Sequence, residues 1–293
     1  MTEETKKNWH DKHYKKLLIL PAAVLIIALI YLFVFYQANG DIMKKDISLT
    51  GGTSITVQSE TDILQLKADL SSQLPGLTVR EISDLRTGKQ LAFIVETSLD
   101  SAQSKSILEE YLGFELTEEN SSTEFTGSTL SSSFYKQLRL AIIVSFILMS
   151  FVVFIIFRTF IPSIAVIFAA FSDIVISLAI VNLMGVNISS AGIVAFLMLI
   201  GYSVDSDILL TTRAIRSRDS TLNSRLLSAF KTGLTMTLTS LAAVLVSLFI
   251  VSQLSETLTQ IFMIISIGLI IDIFVTYLGN LGIIKWYAEK KRL

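Results

Sequence analysis

The sequence contains no cysteine, which excludes a disulfide framework, a thiolate metal site and a cysteine nucleophile in any compartment. Histidine is almost as scarce: the two present, His10 and His13, both fall in a polar N-terminal tail, so no imidazole metal cluster can be built in the folded body. Redox chemistry, a bound metal and a cofactor are therefore not expected, and any proton chemistry falls to carboxylates. Charge is sparse too, with 17% charged against 52% apolar residues, too little polar surface for a water-soluble chain of this length. The formal net charge of −1 lacks the basic excess that a nucleic-acid partner would demand.

What the sequence does have is long apolar runs. Six stretches reach the roughly 20 residues that a helix needs to cross a bilayer, at 17–36, 138–157, 162–184, 188–210, 234–251 and 258–284. The first is longer than a signal-peptide core and has no small-residue cleavage site before Asn39, so it reads as a retained anchor. Lysine and arginine gather at 6–16, at Arg158, at 213–231 and at 285–292, whereas the short loops near Val186 and Ser255 hold none. Basic residues are retained on the cytoplasmic side, which places both termini (1–16 and 285–293) and the loop 211–233 inside. The long segment 37–137, rich in acidic residues, then lies outside. The expectation is a multi-pass protein of the cytoplasmic membrane whose soluble domain is external.

Within 37–137 the pattern shifts from lipid-like runs to short mixed segments. Alternation at 53–57 predicts a strand, and 62–74 carries Ile63, Leu66 and Leu70 at helical spacing, stopped by Pro75-Gly76. Two strands follow, at 78–84 and 90–96, joined by a turn at 86–89. Asp100 with Gln103 forms a capping-box pattern that starts a helix ending at Gly113, and a last strand is predicted at 114–117. The order β-α-β-β-α-β is ferredoxin-like, a fold that covers one sheet face with helices and leaves the other free. The stretch 120–133, dominated by serine, threonine and glycine, reads as a connector, either a passive tether or a moving hinge. Asn120 and Asn187 fit the acceptor pattern for N-glycosylation. The predicted class is thus a polytopic α-helical membrane protein, six transmembrane helices with an outer ferredoxin-like α/β domain between helices one and two.

Four aspartates fall inside predicted spans: Asp173, Asp205, Asp207 and Asp272. An ionisable residue in lipid costs about 2.5–3.5 kcal/mol even on lenient insertion scales, which marks all four as candidate ion-coupling groups. Asp205 and Asp207 stand about 200° apart on a regular helix, so they share a crevice only if the helix unwinds, for which Gly201 and Ser203 provide an opening. A structural reading competes, in which each carboxyl merely bonds a neighbouring helix, with the threonines at 235, 237 and 239 as partners. Apart from Arg139, at the very start of the second span, no lysine or arginine lies inside a span to act as counter-charge. Small residues at Ala165, Ala169, Ser172, Gly185, Gly192 and Gly201 suit close helix packing.

One span, an outer ferredoxin-like domain and five further spans resemble half of a resistance-nodulation-division type transporter. Leu49-Thr50-Gly51-Gly52-Thr53 ahead of the outer domain, and Gly201-Tyr202-Ser203-Val204-Asp205-Ser206-Asp207 before the basic loop that begins at Arg213, narrow the resemblance. With Thr237-Leu238-Thr239-Ser240 in the fifth span, they make the chain similar to the SecD/SecF family of protein-export membrane proteins, on its SecF side, since SecD members carry a much larger outer domain. The resemblance runs from the first span to the last. It implies an accessory subunit with no enzymatic active site, which pairs with a SecD-like membrane protein beside the Sec translocon channel. Such a subunit helps draw unfolded preprotein on the outer face, using the proton motive force. The chain departs from the bacterial pattern, whose asparagine-aspartate pair falls here on Asp205 and Ser206 and whose arginine on the next span falls at Thr235. In this it looks like the archaeal branch.

Two other classes stay open at this point. An exporter of small molecules or lipids from the same superfamily would need a larger outer region than 37–137 supplies. An intramembrane aspartyl protease would need a glycine-x-glycine-aspartate signature, which is absent, and two aspartates that face one another.

Overall fold

The structure, a computed structural model, describes residues 14, 17–84, 87–216, 221–252 and 255–291. Readings that rest on His10, His13, Arg86, Arg218, Arg292 and most of the N-terminal tail lie outside the described residues. The chain enters through α1 (Ile19–Asn39), with Pro21 in its first turn, where a missing N–H costs nothing. It stops at Gly40, whose positive φ of 73° lets its N–H reach the Tyr36 carbonyl. A short helix, α2 (Ile47–Thr50), is capped by Asp46, whose side chain accepts from the Ser48 N–H.

The α/β domain, called the outer domain after its expected side, follows as β1 (Gly52–Val57), α3 (Ile63–Leu70), β2 (Thr78–Ser83), β3 (Gln90–Thr97), α4 (Ser101–Leu112) and β4 (Ser121–Thr126). The strands form one antiparallel sheet in the order β2-β3-β1-β4, the ferredoxin-like arrangement expected. Odd residues of β3 (Phe93, Val95) and of β1 (Ile55, Val57) pack with Leu66, Leu70 and Leu108 of the two helices. Even residues point to the other face, toward the membrane bundle, which is why β3 is buried on both sides. Asp100 caps α4 by accepting from Gln103 N at 3.0 Å, and Gly113 ends that helix in the left-handed region.

Two expectations for this domain are corrected. The last strand is not at 114–117: Leu116 is a buried plug, 1% exposed, and Asn120 folds a turn around it by bonding Thr117 N at 2.8 Å and Glu115 O at 2.9 Å. The strand is instead Ser121–Thr126, paired with all of β1 from Gly52↔Thr126 to Val57↔Ser121. It lies inside the stretch 120–133 read as a connector, and the rest of that stretch belongs largely to the next helix. A polar, threonine-containing segment suffices for an edge strand, which needs only a backbone ladder and one partner.

Five further spans complete the six helices that, among the described residues, are long and apolar enough to cross a membrane: α5 (Ser128–Phe157), α6 (Phe160–Leu183), α7 (Ser190–Arg216), α8 (Leu222–Val251) and α9 (Glu256–Val275). The last continues through a π turn (Thr276–Asn280) into α10 (Leu281–Lys291). Several helices overrun their apolar windows, because backbone hydrogen bonds continue into water wherever no breaker intervenes. Of the basic loop 211–233, residues 211–216 and 222–233 thereby belong to α7 and α8. Arg213 and Arg225 lie on helix ends, donating respectively to Ser228 and Thr232, at 2.8 and 3.0 Å, and to the Ala214 carbonyl at 3.1 Å. Spans three, four and six (α6, α7, α9) form the buried centre, while α1, α5 and α8 stand at the periphery with apolar faces outward.

Candidate ion-coupling site

Each central span carries a buried stripe at helical spacing, and each stripe contains one carboxyl. On α6 it runs Ala165, Ala169, Ser172, Asp173, Ile176; on α7, Phe196, Leu199, Ser203, Asp207, Leu210; on α9, Ile265, Gly268, Leu269, Asp272, continued by Thr276 and Asn280 in the π turn. Gly268 sets the approach of α9 to α7: a Cβ there would stand 2.3 Å from a Leu199 methyl. One turn further along α9 and two along α7, the helices bring Ser206 to Asp272. π turns widen a helix locally and recur at functional sites.

The result is one hydrogen-bonded chain. The Ser203 hydroxyl donates to Asp173. Ser206 Oγ lies 2.9 Å from the Ser203 carbonyl and 3.1 and 3.2 Å from the two oxygens of Asp272. Thr276 Oγ1 sits between carboxyls, 3.2 Å from Asp272 Oδ1 and 2.9 Å from Asp207 Oδ1, and Asn280 Nδ2 donates to that same Asp207 oxygen at 2.6 Å. Asp173, Asp207 and Asp272 are at most 1% exposed. Among the described residues no ion pair reaches any of the three, and Asp173 Oδ1, Asp207 Oδ2, Ser177 Oγ, Thr211 Oγ1 and the Tyr277 hydroxyl are buried without a protein hydrogen-bond partner. Buried polar atoms in that state ask for a proton, an ion or water. Three carboxyls with no cation can gain or lose protons one at a time, and each step changes the charge at the bundle centre.

Asp205, expected to act with these three, does not join them. α7 is continuous through 201–207, so the divergence of Asp205 and Asp207 around a regular helix holds, and no unwinding occurs at Gly201 or Ser203. Asp205 is exposed with Gly201 and Tyr202 on an outward stripe, whereas Ser203 faces inward. Thr235 and Thr239 of the fifth span are not carboxyl partners: they donate to carbonyls of their own helix, at 2.8 Å to Lys231 O and 2.9 Å to Thr235 O. Ser203 and Ser206 are partners instead, and so are Thr276 and Asn280, which escape the sequence reading although they stand four and eight residues after Asp272, on its own helix face.

Gly51 and Gly52 belong to a different place, the hinge between α2 and β1. Near it a second polar assembly joins the outer domain to the bundle. Arg80 of β2 pairs with Glu96 of β3 and with Glu256 in the first turn of α9, and stands 3.7 Å from Asp46. Burial, then the neighbouring Asp46 charge, push the Glu96 carboxyl up to about 7, against the opposing pull of Arg80. Between its ordinary value near 4.5 and about 7 the folded chain thus holds a proton that the unfolded chain lacks. Stability conferred at Glu96 is therefore present at low pH and lost as pH rises through about 7. Thermal unfolding in detergent should accordingly show a higher Tm at pH 5 than at pH 8, with that difference reduced in Glu96→Gln; an unchanged slope in the variant would assign the effect elsewhere.

Comparisons with known proteins agree with this architecture. Residues 104–290 match the family described as "Protein export membrane protein SecD/SecF, C-terminal". The protein-export membrane protein SecF of Methanothermobacter thermautotrophicus is 38% identical over 95% of this chain and 94% of its own length. That of Methanocaldococcus jannaschii is 35% identical over 96% and 98%. Among solved structures, SecDF from Thermus thermophilus superposes with a TM-score of 0.75 at 18% identity, covering 99% of this chain and 40% of that longer one, which speaks to the fold. Six spans, a four-stranded antiparallel outer domain and end-to-end similarity to archaeal export proteins lead to one assignment: the chain belongs to the SecD/SecF family of protein-export membrane proteins.

Proposed function

We propose that the chain is an accessory subunit of the Sec protein-translocation machinery, paired with a SecD-like membrane protein beside the translocon channel, and that it promotes preprotein export by coupling it to the proton motive force at Asp173, Asp207 and Asp272. The observation that carries the coupling is the hydrogen-bonded chain of three buried carboxyls, to which no ion pair runs among the described residues. A change of protonation there alters which packing of spans three, four and six is favoured, and a gradient that loads the site from one side biases that choice. The outer domain then meets unfolded preprotein on the external face, with both termini cytoplasmic.

Pairing with a SecD-like chain is supported by the outward stripe of α7, where Val194, Met198, Tyr202 and Asp205 are exposed in the single chain. An aspartate at that depth is costly against lipid and acceptable against another protein. The matched Thermus chain also extends well beyond the part that this chain covers. The relatives' names favour protein export over export of small molecules or lipids, and over bond-cleaving chemistry. A tagged chain extracted in mild detergent should bring a SecD-like protein with it in fixed ratio; recovery of the chain alone would remove the pairing. Because cysteine is absent, a single Gln90→Cys can report orientation, and labelling of that residue from the cytosolic side alone would overturn the topology.

A further inference from the structure

The sheet of the outer domain does not rest on the bundle through an apolar core. The domain's hydrophobic cluster and those of the spans are separate. Between the free sheet face and the outer ends of spans five and six lies a cavity of about 670 Å³ lined largely by hydroxyls, among them Ser54, Thr56, Ser122 and Thr257. What is tied down by backbone bonds is the connector after the first span: Asp46 N and Lys44 O bond Ile188 at 3.0 and 2.7 Å, and Ser48 Oγ accepts from Ser190 N at 3.0 Å. From the sheet itself, among the described residues, one ion pair reaches a span, Arg80 to Glu256. Asn187 to Thr78 adds a long contact of 3.4 Å.

Glu256 opens α9, the helix that carries Asp272. Gln260, one turn on, fixes the loop between spans three and four through Asn187 O at 2.6 Å and Ser189 N at 2.9 Å. Asp272 follows about 24 Å from Glu256 along an unbroken helix, at 1.5 Å per residue. We infer that Arg80 is the positioning residue that clamps the outer domain to the sixth span, so that the domain follows any displacement of the helix on which Asp272 sits. This transmission rests on the coupling reading above. The planar fork of an arginine suits this role, because it holds Glu96 within the sheet and Glu256 outside it at the same time, which a lysine's single ammonium cannot do with the same geometry.

The absence of cysteine makes the test direct. Spin labels at Lys67→Cys on α3 and Ser252→Cys beyond the fifth span, in the chain assembled with its SecD-like partner, report the distance from domain to bundle. Arg80→Ala combined with Glu96→Gln, which avoids leaving a buried carboxylate unpaired, and separately Glu256→Gln, which leaves the domain untouched, should each broaden that distance and lower the docked fraction about five-fold. Arg80→Lys should recover part of it. An unaltered narrow distance in both variants overturns the clamp. Asp272→Asn should shift the distance in the parent and not in the Arg80→Ala/Glu96→Gln background; an equal shift in both overturns transmission through Arg80. Undiminished export in Asp272→Asn would instead defeat the coupling reading, while the two clamp variants still decide whether Arg80 holds the domain.

Discussion

Asp272→Asn should lower the rate of preprotein export by about ten-fold or more, the least expected when a group that moves a proton is lost, with assembly and stability close to those of the parent. Asp272 is the middle of the chain of carboxyls: Ser206 links it toward Asp173, and Thr276 links it to Asp207. Asparagine has the same shape and retains an oxygen for both hydroxyls, so packing survives, but it cannot take up or release a proton. Asp207→Asn should behave alike, since Asp207 shares Thr276 and adds Asn280. Asp205→Asn provides the contrast, because Asp205 lies on the outward stripe; its effect should fall on recovery of the SecD-like partner. Pulse-labelling of a secreted precursor, with co-purification alongside, separates the two. Equal export defects for Asp205 and Asp272 with assembly intact would argue against a cluster confined to spans three, four and six.

Gly52→Ala should be the most damaging of the small changes, destabilising the outer domain by about 3 kcal/mol or more. Its φ of 141° is a conformation that side chains rarely adopt, and a Cβ there would stand 2.2 Å from the Thr97 carbonyl oxygen. Gly51 is as confined: at φ 84° its Cβ would meet the Ser128 backbone at 2.4 Å, where α5 begins. In both cases the obstacle is backbone, which cannot rotate aside. The glycines therefore let the chain turn from α2 into β1 while β3 and the start of the second span close over it. Gly113→Ala sets the scale, with a left-handed φ of 74° and nothing within 4 Å, for which about 1 kcal/mol is expected. Limited proteolysis and thermal unfolding should rank Gly52 and Gly51 well above Gly113; equal losses at all three would mean that φ alone matters.

How far these features can be read from sequence depends on whether the physics is local. Spans declare themselves because twenty apolar residues have few other uses, yet their ends do not, since a helix such as α5 begins at Ser128, ten residues before its apolar run. The edge strand Ser121–Thr126 is hidden by composition: serine and threonine read as a linker, and only the ladder with β1 makes them a strand. For the carboxyls, helix phase alone separates Asp205 from Asp207, whereas the meeting of Asp173, Asp207 and Asp272 is a matter of tertiary packing. Thr276 and Asn280 are legible in principle from their spacing to Asp272. Arg80, Glu96 and Glu256 are not, because nothing local connects a strand of the outer domain with the first turn of the sixth span.

The central claim is that the buried carboxyl chain converts an ion gradient into export. In sealed vesicles holding the chain, its SecD-like partner and the translocon, a pH gradient with the acidic side at the outer domain should accelerate preprotein export by the parent chain and leave the Asp272→Asn chain at its unstimulated rate. Acceleration of equal size in both would contradict it.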